Sequence, residues 1–187
     1  PYGLSKINTE KYLLKNKHKI NSVILRYFNV AGADPDLRSG LISDEPTHLI
    51  KILSEVAIGK REKIFIYGND YETKDGTAIR DYIHVSDLAD IHLEVAKHLL
   101  DKNQSNIFNC GYGKGYSVLE VINAANKITN NKIKFEYTNR RAGDAEKLVS
   151  NVAKLHKHIN WEPKFNNLDF IIQTAINWEK KINEKNL

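Results

Sequence analysis

The sequence predicts an α/β fold, and three observations predict it. Apolar residues recur at alternately helical and extended spacing along the chain. No internal repeat and no long linker breaks that alternation. The extended runs are separated by stretches long enough to be helical crossovers, which places most strands in a largely parallel sheet. At 187 residues the chain is long enough to bury a sizeable core.

Residues 5–16 read as a helix with Ile7, Tyr12 and Leu13 on its buried side, followed by Val23-Ile24-Leu25 as a short buried strand. A loop with Gly32, Pro35 and Gly40 leads to a helix in which Leu49, Ile50, Ile52, Leu53, Val56 and Ala57 recur at three-to-four spacing. Thr47 or Asp44 is its expected N-cap and Gly59 its stop. Residues 64–67 form a strand that enters a Gly68-Asn69-Asp70 turn. After the polar stretch 69–77, residues 79–85 are extended, and Ser86 is the expected cap of an amphipathic helix through Leu88, Ile91, Val95 and Leu99. Residues 107–109 are a short strand into a loop with Gly111, Gly113 and Gly115. Ser117, with Glu120 three residues on, is a capping box opening a helix to about Lys127. Residues 133–137 make another strand, 139–144 a polar turn, and 151–158 and 168–184 two further helices.

Composition narrows the class of partner. There are 28 Lys and Arg against 23 Asp and Glu, a net charge of +5, with 41% hydrophobic residues; an acidic disordered segment is excluded. Ten Gly and four Pro exclude a collagen-like or low-complexity chain. The positive charge is dispersed: Lys15, Lys17, His18 and Lys19, and later Lys180, Lys181 and Lys185, read as solvated faces and helix C-termini, so no nucleic-acid partner is expected. No apolar run approaches the roughly 18–20 residues that span a bilayer, and no signal-peptide pattern opens the chain, so no membrane role is expected. The single cysteine, Cys110, cannot form an internal disulfide, which makes a cytoplasmic location the expectation. The chain has no methionine and opens at Pro1, which fits removal of an initiator or, as favoured here, excision from a longer sequence.

Tyr2 and Lys6 stand one helical turn apart at the head of the first helix. An isolated phenol, with a pKa of about 10, is a poor base at neutral pH, but a neighbouring ammonium stabilises the phenolate. The spacing by itself is common. Taken alone, Arg80-Asp81 and Arg141 with Asp144 read as ion pairs, Asn29 as a turn residue, His48 as a helix-terminal residue and Tyr67 as core. His84 to Asp87 lacks metal-ligand spacing, and no metal is expected. The loop from Gly111 to Gly115 has the look of a phosphate cradle but reads better as a strand-to-helix turn.

Several strings change the weight of these residues. Pro1-Tyr2-Gly3-Leu4-Ser5-Lys6 is followed by Arg26-Tyr27-Phe28-Asn29-Val30-Ala31-Gly32-Ala33, Thr47-His48-Leu49-Ile50, Tyr67-Gly68-Asn69-Asp70-Tyr71 and Asp75-Gly76-Thr77. Then come Arg80-Asp81-Tyr82-Ile83-His84-Val85-Ser86-Asp87-Leu88-Ala89-Asp90 and Arg140-Arg141-Ala142-Gly143-Asp144. In order and spacing they resemble the extended short-chain dehydrogenase/reductase superfamily and, within it, the UDP-glucose 4-epimerases.

The resemblance implies the C-terminal part of a Rossmann-type parallel sheet plus a smaller α/β substrate-binding domain. Residues 1–32 and 80–109 would be the remainder of the NAD-binding domain, and 33–79 and 110–187 the UDP-sugar-binding domain. It implies NAD as cofactor, UDP-glucose and UDP-galactose as substrates, and a homodimer for the full-length protein. Tyr2 would be the acid/base and Lys6 its electrostatic partner, both also touching the cofactor, with Phe28 beside it. Asn29, Arg80 and Arg141 would meet the diphosphate. His48 and Leu49 would lie along the nucleotide, Phe65, Ile66 and Tyr67 would present backbone and an aromatic face to uracil, Asp144 would take a ribose hydroxyl, and Leu148 would border the sugar.

The first strand and Gly-rich turn of a dinucleotide fold, and the family's Ser or Thr that assists the Tyr, have no counterpart in the sequence. The resemblance therefore covers the C-terminal half of such an enzyme or somewhat more, and the chain alone is expected to bind NAD poorly and to be inactive as an epimerase. Residues 37–46 lack the usual Gly-Glu residues, Lys51 stands where proline is common, and Ala145 follows Asp144 where proline is frequent. A non-catalytic nucleotide-sugar-binding module or remnant, and a related nucleotide-sugar dehydratase or decarboxylase, remain as alternatives.

Overall fold

The alternating apolar runs become eight strands and six helices among the residues described by a computed structural model, which covers 2–130 and 132–184 and, at Tyr2, the backbone alone. After the helix α1 (Tyr2–Lys15), β1 (Val23–Tyr27) pairs in parallel with β5 (Asn106–Cys110), Val23 opposite Asn106. Past Phe28 the chain enters β2 (Asn29–Ala31), which pairs in parallel with β4 (Ile79–His84) and sets Asn29 opposite Tyr82. β4 is also flanked by β6 (Gly115–Ser117), antiparallel, and by β8 (Lys147–Leu148), parallel. A separate parallel pair joins β3 (Ile64–Tyr67) to β7 (Phe135–Thr138). The helices α2 (Leu49–Ala57), α3 (Val85–Lys102) and α4 (Val118–Thr129) are the crossovers, and α5 (Ala153–His158) and α6 (Leu168–Glu184) close the order.

Burial of apolar area divides into two clusters. In one, Ile50, Leu53 and Val56 of α2 meet Ile64 and Ile66 of β3, Val121 and Ile122 of α4, and Ile172 and Ile176 of α6. In the other, Ile83 of β4 and Leu88, Ile91 and Val95 of α3 surround Phe108 and Cys110 of β5. Leu155, Ile159 and Trp161 join this second cluster, so the segment around α5 packs on β5 and α3 rather than on α4 and α6.

Several local expectations are corrected. Ile7 and Tyr12 are not on a buried side of α1; they are 47% and 68% exposed, and only Leu13 of the three is half-buried. At about 3.6 residues per turn, positions 7, 12 and 13 point to three different sides of a helix. The side that meets β1 carries Glu10 and Leu13, and Glu10 is held by the Arg26 guanidinium at 2.5 and 2.9 Å. Residues 23–25 are half-buried rather than buried. The N-cap of α2 is His48, with no side-chain cap from Thr47 or Asp44. Ser86 does not cap α3: the N-cap is His84, whose ring Nδ1 accepts the Ser86 N–H at 3.1 Å. The box at Ser117 and Glu120 forms as expected, with both reciprocal hydrogen bonds. Gly59 ends the turn after α2 at a φ of +81°.

Candidate active site

Three backbone features aim side chains into one hollow. Alternation along β4 sends Arg80 and Tyr82 to one side of the strand and Asp81 to the other. The parallel register then sets Asn29 beside Tyr82. Burial pushes the Tyr82 phenol well above its ordinary pKa, against the lowering pull of Arg80 and Asn29, so Tyr82 stands neutral beside Asn29. α2 begins at the same place, with His48 extended and exposed and its first turn lacking any side-chain cap. Such a helix end presents backbone donors and the positive end of the helix dipole.

The opposite wall comes from β3 and the loop after β7. Ile64 and Ile66 anchor β3 in the core while Phe65 and Tyr67 stay on the accessible face. The Arg141 guanidinium lies over the Tyr67 ring, 3.7 Å from its centroid. Asp144 reaches Arg80 at 3.7 Å, and the Asp144 N–H donates to the Arg141 carbonyl at 3.2 Å, which folds this loop back toward β4.

Together these elements enclose about 380 Å³, lined by Asn29, His48, Leu49, Phe65, Ile66, Tyr67, Arg80, Arg141 and Asp144. Nine residues expected from the sequence to bind a nucleotide sugar thus share one hollow. Sequence reasoning missed Tyr82, Arg61 and Lys63, which line it too. The period of two along β4 signals Tyr82, since it shares the face of Arg80. Nothing local signals Arg61 and Lys63, which the turn after α2 delivers. Four cations, Arg61, Lys63, Arg80 and Arg141, and one carboxylate, Asp144, line the hollow among the described residues. Arg61 is bonded to Glu55 at 3.0 Å and Lys63 to Glu136 at 2.7 Å. The chemistry is that of an anion site beside an aromatic face.

Other expected residues lie elsewhere. Leu148 does not line the hollow; on β8 it is paired in register with Arg80 and is 49% exposed. Lys6 is exposed on α1, and half-buried Phe28 bridges β1 and β2 with its N–H on the Cys110 carbonyl at 3.1 Å; neither lines the hollow. The assignment to Tyr2 falls on a side chain outside the described residues.

The glycine loop after β5 is not a phosphate cradle. Buried Asp81 takes its donors: the N–H groups of Tyr112 and Gly113 at 3.0 Å and that of Ser150 at 3.1 Å, with the Ser150 hydroxyl at 2.5 Å. A Cβ at Gly111 would stand 2.5 Å from both the Asp81 and Ser150 oxygens, so glycine is required there by the approach of the carboxylate. His84 and Asp87 are also spent on structure. His84 shares its Nε2 with the Thr174 hydroxyl at 3.2 Å, and Asp87 accepts from the Tyr112 hydroxyl and the N–H groups of Lys164 and Phe165 at 2.5–3.0 Å.

Comparisons with known proteins identify the family. A profile of the NAD dependent epimerase/dehydratase family matches residues 1–111. UDP-glucose 4-epimerase from Azospirillum brasilense is 44% identical over 186 residues, which is 98% of this chain and 53% of that protein. The crystal structure of UDP-glucose-4-epimerase from Stenotrophomonas maltophila, with bound NAD and formylated UDP-arabinopyranose, superposes with a TM-score of 0.94 at 31% identity, over 99% of this chain and 56% of that one. The Bifidobacterium longum UDP-glucose 4-epimerase, in complex with NAD+ and UDP, gives a TM-score of 0.90 at 35% identity, over 97% and 55% of the two chains. The chain spans about half the length of the curated relatives it matches. With the family profile over more than half of its length and relatives this similar over nearly all of it, the chain belongs to the NAD-dependent epimerase/dehydratase family, among relatives that are UDP-glucose 4-epimerases.

Proposed function

We propose that this chain carries the UDP-sugar-binding hollow and the acid/base pair of an NAD-dependent UDP-glucose 4-epimerase that interconverts UDP-glucose and UDP-galactose. The observation that carries the proposal is the shared hollow, which collects Asn29, His48, Leu49, Phe65, Ile66, Tyr67, Arg80, Arg141 and Asp144 from five separate stretches of sequence. Two guanidinium groups and an uncapped helix end suit a diphosphate, and the β3 strand with the Tyr67 ring suits a flat base.

Arg80 and Arg141 neutralise the diphosphate, the first turn of α2 at His48 and Leu49 donates to it, and Asn29, beside Tyr82 in the parallel register, orients it. Asp144 accepts a ribose hydroxyl. Leu148, next to Arg80 on β8, borders the sugar. Tyr2 takes the proton from the sugar hydroxyl, and Lys6, one helical turn along, stabilises the phenolate that must form first. NAD, when bound, supplies the acceptor for the hydride leaving carbon 4 of the sugar. On the cofactor side, Tyr2, Lys6 and Phe28 are the residues that would hold it, alongside the parallel β1–β5 pair. The Gly111–Gly115 loop does not fit its pyrophosphate, because Asp81 already occupies the loop's donors.

The same reading divides the chain into residues 1–32 and 80–109 on the cofactor side and 33–79 and 110–187 on the sugar side. The separate apolar clusters support a division, with the segment around α5 packing on the cofactor side. A homodimer of the full-length protein and a cytoplasmic location belong to this reading; no described helix is long and apolar enough to cross a membrane.

A second reading, a nucleotide-sugar-binding module without catalysis, is favoured by one observation: Asn29, His48, Arg80, Arg141 and Asp144 line the hollow, while the Gly111–Gly115 loop, the one described candidate for a phosphate cradle, has its donors taken by Asp81. Calorimetric titration of the chain with UDP-glucose and with NAD separates the two. Saturable UDP-glucose binding is expected, weakened about 10- to 100-fold by Arg141→Ala, the worth of a charge-assisted contact of about 1.5–3 kcal/mol. Absence of UDP-glucose binding would falsify the assignment of the hollow, and UDP-glucose binding with no NAD binding favours the module.

A further inference from the structure

Adjoining the hollow, a cavity of about 400 Å³ is lined in part by Lys51 of α2 and Glu179 of α6, and it shares Asn29, His48, Leu49 and Tyr82 with the hollow. The Lys51 ammonium donates to one carboxylate oxygen of Glu179, joining the two helices. The residues are 7% and 1% exposed. The other oxygen of Glu179 has no hydrogen-bond partner among the described residues, and the nearest further cation, Lys60, stands 3.6 Å from it. Lys51 is also 3.7 Å from Glu55, whose carboxylate in turn holds Arg61 on the wall of the hollow at 3.0 Å.

Burying this pair with an oxygen unsatisfied is a poor way to gain stability, because desolvation of two charges commonly exceeds their attraction. Apolar packing of Ile50 and Leu53 against Ile172 and Ile176 already holds α2 to α6, yet such contact is non-directional and leaves a nine-residue helix free to slide or turn by small amounts. An ion pair across that interface fixes one register.

We propose that Lys51 and Glu179 are positioning residues for the nucleotide site: their link sets the register of α2 and thereby holds its N-terminal turn, at His48 and Leu49, where it meets the diphosphate. The proposal rests on the assignment of the hollow to a UDP-sugar.

The test compares wild type with Lys51→Met/Glu179→Leu, which swaps the pair for apolar side chains of similar size and should fold about as stably. Two quantities are measured on the chain: the urea midpoint and the dissociation constant for UDP by calorimetry. The expected result is a retained midpoint with UDP bound at least about fivefold more weakly, a split that a merely structural pair would not produce. Retained midpoint with unchanged UDP affinity overturns the positioning role. A fall in midpoint that accounts for the lost affinity makes the pair a stability element and overturns it equally. Failure of wild type to bind UDP removes the nucleotide assignment itself, and this inference with it.

Discussion

Asp81 and Arg80 are neighbours with opposite fates, and the pleat of β4 is the reason. Arg80 faces the hollow, where its Nη2 is 3.7 Å from Asp144 and its Nη1 donates to the Ile79 carbonyl at 2.8 Å. Asp81, fully buried, gathers three backbone N–H groups and a hydroxyl from two distant loops. Removing such an acceptor leaves each donor desolvated and unpaired. Asp81→Ala should therefore destabilise the fold by about 3 kcal/mol or more, read as a lower urea midpoint, while Arg80→Ala leaves the midpoint nearly unchanged. Equal midpoints for the two variants would refute this division of labour. Asp34 shows the same logic at a loop: the Arg38 guanidinium beside it holds its carboxyl down to about 2.

At the scale of elements, the helices around the site are started in three different ways. α4 has a full capping box, and the Ser117 hydroxyl also donates to Asp75, whose second oxygen accepts from the Thr77 N–H at 2.9 Å and hydroxyl at 2.7 Å. Although burial raises the Asp75 pKa, the bonds from Ser117 and Thr77 hold it below its ordinary value. Ser117→Ala should cost about 1 kcal/mol from the cap, with a further loss because Asp75 loses a donor; chemical denaturation of the variant measures it, and a change under about 0.3 kcal/mol would contradict the role. α3 is started by a buried histidine. α2 has no side-chain cap, which leaves its first turn available at the hollow. The capping box was legible because both partners lie within one turn of sequence. The His84 cap was not, because it depends on α6 closing over the ring and supplying Thr174.

For the whole molecule, the buried position of His84 makes stability depend on pH. Burial lowers its pKa below the ordinary 6.5, with Asp87 and Asp34 pulling partly the other way. Above about pH 6.5 the ring is neutral in folded and unfolded chains alike and the full stability is present. Below that the unfolded chain takes up a proton that the fold resists, so stability falls as pH drops from about 6.5 through the lowered folded value. The urea midpoint should decline as pH falls below about 6.5, and His84→Gln should flatten that decline; an unchanged slope in the variant would remove His84 as its source.

Local patterns in the sequence determined the α/β class, the positions of the helices and of five of the eight described strands, and the capping box, because each depends on neighbours within a turn or a strand, while the short strands β2, β6 and β8 form only by pairing with the distant β4. The tertiary structure decided which residues meet. The hollow exists because β2 pairs with β4 and β3 with β7, bringing residues 29 and 144 to facing walls of one hollow. It also decided that Ile7 and Tyr12 stay exposed, that Leu148 stands outside the hollow, and that Lys51 is buried against Glu179. Periodicity reports that a side chain has an apolar or polar side to offer; only packing between distant segments determines what it faces.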